Sequence, residues 1–278
     1  CLYIFNLEGE MSLKKDIPAE IMKQMERLSG RFNRRQIFRD FLYLTAYQIS
    51  NRTDPVHLEK RLKLAREVWK NYSSQEIALF SSILELFLDG ISQNSDMGQL
   101  EDILGPVFER LGSGSRALGQ DFTPASVCRL MAGLTGVPAE EKVVTLNEPS
   151  CGSGSMILAY AEMMQKHGRN YCSELVVLAQ DLDIHCVLMA YIQLSLYGIP
   201  AVVLHGNTIT TEEFDRWYTP IYILDRWVWR KPLGMTGKRS LDDEKLKVCQ
   251  EPMYGLIRYP EWISVHKANV EEACCNAV

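Results

Sequence analysis

The segment Glu148-Pro149-Ser150-Cys151-Gly152-Ser153-Gly154 follows the apolar run Val143-Val144-Thr145-Leu146 and precedes apolar Met156-Ile157-Leu158-Ala159. The pattern predicts a strand that enters a tight glycine turn and leaves as a helix, because glycine adopts positive φ without steric cost. Such a turn lets the backbone approach a ligand closely. It also points the free N–H groups of the helix's first turn into the crevice at the strand ends. Two more short apolar runs, at 175–179 and 201–204, alternate with helical stretches at 155–166 and 184–197. Strand–helix alternation at this spacing predicts an α/β unit with a parallel sheet and crossover helices.

Residues 17–112 read differently. Ile21, Met25, Leu28 and Phe32 recur at three- and four-residue steps, Gly30 interrupts or ends that segment, and Ile37, Phe41, Leu44 and Tyr47 continue a similar face behind a cap at Asn33. Leu62, Ala65, Val68 and Trp69 make a third helix. Ser73-Ser74-Gln75-Glu76 has capping-box spacing and opens a fourth, running through Ile77, Phe80, Ile83, Leu84 and Phe87 to Gly90. Leu100, Ile103, Leu104, Val107, Phe108 and Leu111 make a fifth, and Gly112-Ser113-Gly114-Ser115 reads as a linker. An all-α region thus precedes the α/β unit, with a helix at 127–134 between them.

The 278 residues suffice for one large or two modest domains. No apolar run reaches the roughly 20 residues that cross a bilayer, and the apolar start lacks the basic region of a signal peptide. The eight cysteines, at 1, 128, 151, 172, 186, 249, 274 and 275, contain no Cys-x-x-Cys pair. That predicts no metal site and reduced, buried thiols, hence a reducing cytoplasm. Residues 11–70 carry 14 Lys/Arg against 7 Asp/Glu, a local charge of +7 in a chain whose total is −5. The overall balance argues against strong stand-alone nucleic-acid binding. The basic stretch is either a solvated helical face or a surface for an acidic or phosphate-bearing partner.

Four elements converge on a nucleoside pocket. The glycine turn is the first. Ile157 stands where a dinucleotide fingerprint needs its third glycine, and no Gly-Lys-Ser/Thr follows for a phosphate loop. The second is Val176-Val177-Leu178-Ala179-Gln180-Asp181, which ends the second strand on a carboxylate placed for two ribose hydroxyls, with Leu182 set against an adenine ring. The alternative for Asp181 is a cap on the following helix. The third is Leu204-His205-Gly206-Asn207-Thr208, where the Asn207 amide either reads an adenine edge or closes a turn. The fourth is Gly119-Gln120-Asp121-Phe122-Thr123-Pro124, whose Thr123 and Pro124 also suit a helix start, as cap and first-turn residue.

In this order and spacing, over roughly 117–210, the four resemble the methylase subunit of type I restriction–modification systems. These are N6-adenine DNA methyltransferases that use S-adenosylmethionine. The resemblance implies a Rossmann-like methyltransferase sheet preceded by an all-α domain, with boundaries at 1–116, 117–230 and an irregular tail at 231–278. It further implies that Phe122, Thr123 and Pro124 lie over the cofactor, that Glu148, Cys151, Gly152, Ser153 and Gly154 hold its methionine part, that Asp181 and Leu182 hold the ribose and adenine, and that Asn207 reaches the adenine. DNA is the implied substrate, read through a specificity subunit in a homo- or hetero-oligomer, with no membrane association.

One departure is large. The family's catalytic signature is Asn/Asp-Pro-Pro-Tyr/Phe after the fourth strand, where it accepts hydrogen bonds from the adenine amine and stacks on the flipped base. This chain contains no Pro-Pro. Thr219-Pro220-Ile221-Tyr222 keeps a proline and an aromatic with no evident strand before it. Alternatively, Tyr222-Ile223-Leu224 is the fourth strand and ends at Asp225-Arg226-Trp227. Tyr222 and Asp225 are therefore the catalytic candidates. The alternative is a methylase-like accessory protein that binds cofactor or partner without transfer. After Asn207 few residues remain for a complete sheet, so the sheet is short or is completed by another chain. The tail offers a strand at 254–259 and a helix at 264–274.

Overall fold

The computed structural model describes residues 15–112 and 122–230, residues 242, 244 and 245, and the backbone of two short strands. Those strands, β1 (Tyr3–Phe5) and β2 (Met11–Leu13), pair antiparallel. Most of the Gly-Ser linker, Gly119-Gln120-Asp121, the elements expected at 254–259 and 264–274, and Cys1, Cys249, Cys274 and Cys275 lie outside the described residues.

Five helices follow: α1 (Ile17–Glu26), α2 (Arg34–Ser50), α3 (Leu58–Trp69), α4 (Ser74–Asp96) and α5 (Leu104–Arg110). The caps are those the sequence predicts. Asn33 Oδ1 accepts from the Gln36 N–H at 2.7 Å. Ser73 and Glu76 exchange side-chain-to-backbone hydrogen bonds at 3.3 and 2.7 Å, a capping box contributing on the order of 1 kcal/mol. α4 does not stop at Gly90. A Cβ there would come 2.9 Å from Ile103 and 3.1 Å from Ile17, so this glycine admits neighbouring side chains and does not end the helix.

The α/β part comprises α6 (Ala125–Thr135), β3 (Val144–Glu148), α7 (Ser155–Lys166), α8 (Tyr171–Glu174), β4 (Leu175–Asp181), α9 (Ile184–Leu196), β5 (Ala201–Asn207), β6 (Glu212–Tyr218), α10 (Pro220–Leu224) and α11 (Trp227–Arg230). The sheet order is β3-β4-β5-β6. The first three strands are parallel, with Val144 opposite Leu175 and Val177 opposite Ala201. Their last residues, Glu148, Asp181 and Asn207, therefore share one end of the sheet.

β6 runs antiparallel to β5, from Glu212 opposite Asn207 to Tyr218 opposite Val202. A bulge interrupts the pairing at His205/Gly206, where a Cβ on Gly206 would run into the Glu212 carbonyl. Here the structure corrects the sequence reading twice. Tyr222-Ile223-Leu224 is not a strand but lies in α10, started by Pro220 behind Thr219 and closed by the Asp225 N–H to Ile221 C=O bond at 3.0 Å. A strand does precede Thr219-Pro220-Ile221-Tyr222, but Glu212-Glu213-Phe214-Asp215-Arg216 at its start is too polar to read as one.

Two apolar cores flank the sheet. α9 is buried on every side, from Cys186 through Leu196, as a helix apolar all round must be. It packs on β4 and β5 and also on α2. One continuous core therefore joins the helical region to the sheet. On the other face Val176, Leu178, Val202 and Leu204 meet Tyr218, Tyr222, Ile223, Trp227 and Val228. No helix among the described residues is long and apolar enough to cross a membrane, and among them no His/Cys/Asp/Glu group could hold a metal ion.

Candidate active site: a glycine-turn crevice at the strand ends

A cavity of about 340 Å³ opens at the carboxyl ends of β3 and β4. Its floor is the glycine turn. Gly152 and Gly154 have φ of +54° and +97°, so both occupy the left-handed region that non-glycine residues enter at a cost. The turn is tied down by the Cys151 N–H to Gln180 C=O bond at 2.8 Å and by the Gly152 N–H to Asp181 Oδ2 bond at 2.9 Å. α7 starts at Gly154 with no side-chain cap, leaving its N-terminus to face the cavity.

Phe122 forms the roof. A Cβ on Gly152 would lie 3.0 Å from its ring, so the phenyl rests on backbone that only glycine provides. Thr123 and Pro124 do not play the expected capping roles. Pro124 is itself the cap residue, with φ −56° and ψ 141°, and the helix begins at Ala125. Thr123 is thereby left exposed on the cavity wall.

Asp181 is half sunk at the end of β4. Its Oδ1 accepts from the Asp183 N–H at 2.9 Å, and its Oδ2 holds Gly152. It is not the cap of α9. That is Asp183, which accepts from the His185 N–H at 2.9 Å. The carboxylate also lines the cavity, where it can accept from a hydroxyl donor. Burial pushes its carboxyl above the usual range, and the N–H groups of Asp183 and Gly152 only partly offset this. Burial likewise raises the Glu148 carboxyl and the Cys151 thiol. Cys151 thus stays neutral at physiological pH and offers no thiolate.

Of the residues expected to contact a cofactor, Phe122, Thr123, Cys151, Gly152, Ser153 and Asp181 line the cavity. Ser150, Ser155, Met156 and Cys186 join them. Ser155 had a readable signal, being the first helical residue after the glycine turn; Cys186 had none, because α9 brings it in by tertiary packing. Pro124, Glu148, Gly154, Leu182 and Asn207 do not line the cavity. Leu182 is 61% exposed. The Asn207 oxygen closes its own turn, accepting from Ile209 and Thr210 N–H at 2.9 and 3.2 Å.

The catalytic candidates lie elsewhere. Because β6 is antiparallel, α10 emerges at the amino ends of the parallel strands, where the Thr219 N–H bonds the Ala201 carbonyl at 3.0 Å. Tyr222 is fully buried there and stacks on Tyr218 at 5.7 Å. Asp225 ends the same helix. The length of β5 separates both from the crevice.

Residues 99–231 match the family model described as N-6 DNA Methylase. This segment, a little under half of the chain, is similar to N-6 DNA methylases. No curated protein matches the chain. The match begins within the helical region, before α5, and so takes in the loop at 99–103 that packs against the turn. The matched segment has the family's α/β architecture, a four-stranded, mostly parallel sheet with helices.

Proposed function

We propose that this methylase-like domain binds S-adenosylmethionine in the crevice, in a DNA adenine-N6 methyltransferase system of restriction–modification type. The observation that carries the reading is the joint arrangement of Phe122, the Gly152 cradle and Asp181 around one cavity. The group fits the residues present. The cavity volume is within the usual few hundred Å³ of small-ligand sites. The first turn of α7 opens uncapped on the cavity, and half-buried Asp181 presents a carboxylate acceptor to hydroxyl donors. Bound S-adenosylmethionine would supply an electrophilic methyl group. The chain's own part is to orient it: Asp181 toward the ribose, the uncapped N–H groups at the start of α7 toward the carboxylate of the methionine part, and Phe122 as a roof that excludes water.

DNA reading falls to a partner such as a specificity subunit. In support, six of the fourteen basic residues at 11–70 pair with acids of the same chain: Arg31 with Glu76, Arg34 with Glu26, Arg39 with Asp40, Lys60 with Asp215, Arg61 with Asp54 and Lys70 with Glu67.

A second reading is favoured by one observation. The proline–aromatic segment at 219–222 and Asp225 sit at the wrong end of the sheet to hold a base. The chain would then be an accessory subunit that binds cofactor without transferring its methyl group alone.

The test is calorimetric titration of the whole chain with S-adenosylmethionine and with its demethylated product. Micromolar binding is expected, and no heat at millimolar ligand overturns the cofactor assignment. Tritiated methyl transfer to unmethylated DNA then separates the two readings, since the accessory subunit stays inactive until a partner is added.

A further inference from the structure

The glycine turn does not hold itself in shape. Asp102, in the loop between α4 and α5, reaches it from the helical region. Its Oδ2 accepts from the hydroxyls of Ser153 and Ser155, the latter at 2.6 Å, and its Oδ1 accepts from the Gly105 N–H at 2.8 Å and Gln193 Nε2 at 2.9 Å. Gln193 is fully buried on α9. It also donates to the Ser153 carbonyl at 2.8 Å and accepts from the Ile103 and Leu104 N–H groups at 2.8 and 3.2 Å. A Cβ on Gly105 would run into the Asp102 carboxylate and come 2.8 Å from Ser153 Oγ. The contact therefore depends on glycine at 105.

The next helix, α5, holds the roof. Glu109 Oε1 accepts from the Phe122 N–H at 3.3 Å, and the Phe108 ring meets Phe122 edge-on at 5.8 Å between centroids. Arg110 pairs with both oxygens of Asp16, ahead of α1, at 3.0 Å each. A single short stretch thus grips the floor of the crevice at its start, the roof near its end, and α1 beyond.

We propose that residues 102–109 are a positioning bracket that sets cofactor affinity from the helical region, with Asp102 as its principal residue. The proposal rests on the reading of the crevice as a cofactor site. Asp102 touches neither the cavity nor a ligand. It acts by holding Ser153 and Ser155, and with them the orientation of the turn's N–H groups. Charged acceptors sharing several donors make the stronger hydrogen bonds, and a fully satisfied buried network holds one geometry.

The test compares Asp102→Asn, Ser155→Ala and their combination. Asp102→Asn should raise the S-adenosylmethionine Kd about tenfold and Ser155→Ala about threefold, the range of one lost hydrogen bond. The double variant should bind no more weakly than Asp102→Asn alone, because both act through one contact. In the ligand-free protein, hydrogen exchange of the amides at 152–155 should speed up in Asp102→Asn while those of β4 stay protected, a local change that general destabilisation does not produce. Wild-type affinity and unchanged turn exchange in a folded Asp102→Asn protein overturn the bracket. If that variant does not fold, ligand-free hydrogen exchange at 152–155 in Ser155→Ala, which removes one hydroxyl from Asp102, decides alone: unchanged exchange overturns the bracket. If the wild type binds no cofactor, the cofactor reading fails, and the ligand-free exchange measurement still decides whether Asp102 holds the turn.

Discussion

The two ends of the sheet carry similar residue types and do different things. At the carboxyl ends of β3 and β4, an acid and an aromatic ring (Asp181, Phe122) frame a polar crevice floored by glycine backbone. At the amino ends, Pro220, Tyr222, Trp227 and Asp225 belong to short helices packed on the sheet's second face. The difference comes from strand direction. Parallel strands with crossover helices collect their exposed ends at one edge. A strand that turns straight back carries the next segment to the opposite edge. A motif is therefore a site only if the chain arrives at the correct end.

The comparison can be broken most sharply at its packed end. Trp227→Ala should destabilise the protein by about 3–5 kcal/mol, as for other buried aromatic truncations, while leaving cofactor affinity unchanged in the folded population. Thermal unfolding and calorimetry read the two separately. A large affinity loss in folded protein would place Trp227 near the cofactor and reverse the assignment of ends.

At the crevice the balance should invert. Asp181→Ala should weaken S-adenosylmethionine binding by about 1.5–3 kcal/mol, the worth of a charged hydrogen bond, with a smaller effect on melting. Gly152→Ala should cost roughly 1–2 kcal/mol through its positive φ and loosen the roof, since the new methyl meets Phe122. Loss of affinity without loss of stability would mean the ring shifts freely.

Acid should act on the two regions in opposite ways. Burial raises the Asp54 carboxyl, but the hydrogen bond from His57 and the Arg61 charge outweigh it and leave the group below its ordinary value. Its contribution is present above the unfolded pKa and is lost as pH falls through the lower folded value. Asp181 starts above its ordinary value. Its protonation stabilises the fold but removes a ribose acceptor, so cofactor affinity should weaken with falling pH before Asp54 titrates. A pH series of Kd, flattened in Asp181→Asn, checks the order. Asp225→Asn should produce the smallest effect, about 1 kcal/mol or less in stability, the range of one hydrogen bond, and none on binding; a lost affinity there would contradict the register of β6.

Much of the molecule was legible because its signals are local. The α7 boundaries, the Asn33 and Ser73 caps, the three parallel strands and the glycine turn come from periodicity, capping chemistry and glycine spacing. Thr123 and Pro124 were displaced by one position, because the same residues that can cap a helix can also end an extended roof. Asn207 could read as contact or turn, and its oxygen takes the turn.

Other features depend on which distant segments meet. The direction of β6 is set by the Asn207 turn, the bulge at Gly206 and the burial of Trp217 and Tyr218. None of these shows in a stretch that begins with two glutamates. Asp102 and Gln193 carry no motif at all, and they reach the glycine turn only because α9 and the loop before α5 pack against it. The sequence by itself determined most of the helices, the three parallel strands and the glycine turn, because backbone sterics and hydrogen-bond periodicity act over a few residues. Tertiary structure alone decided which end of the sheet each motif reaches and what holds the turn in place, because strand direction and buried polar networks are settled by pairings across tens of residues.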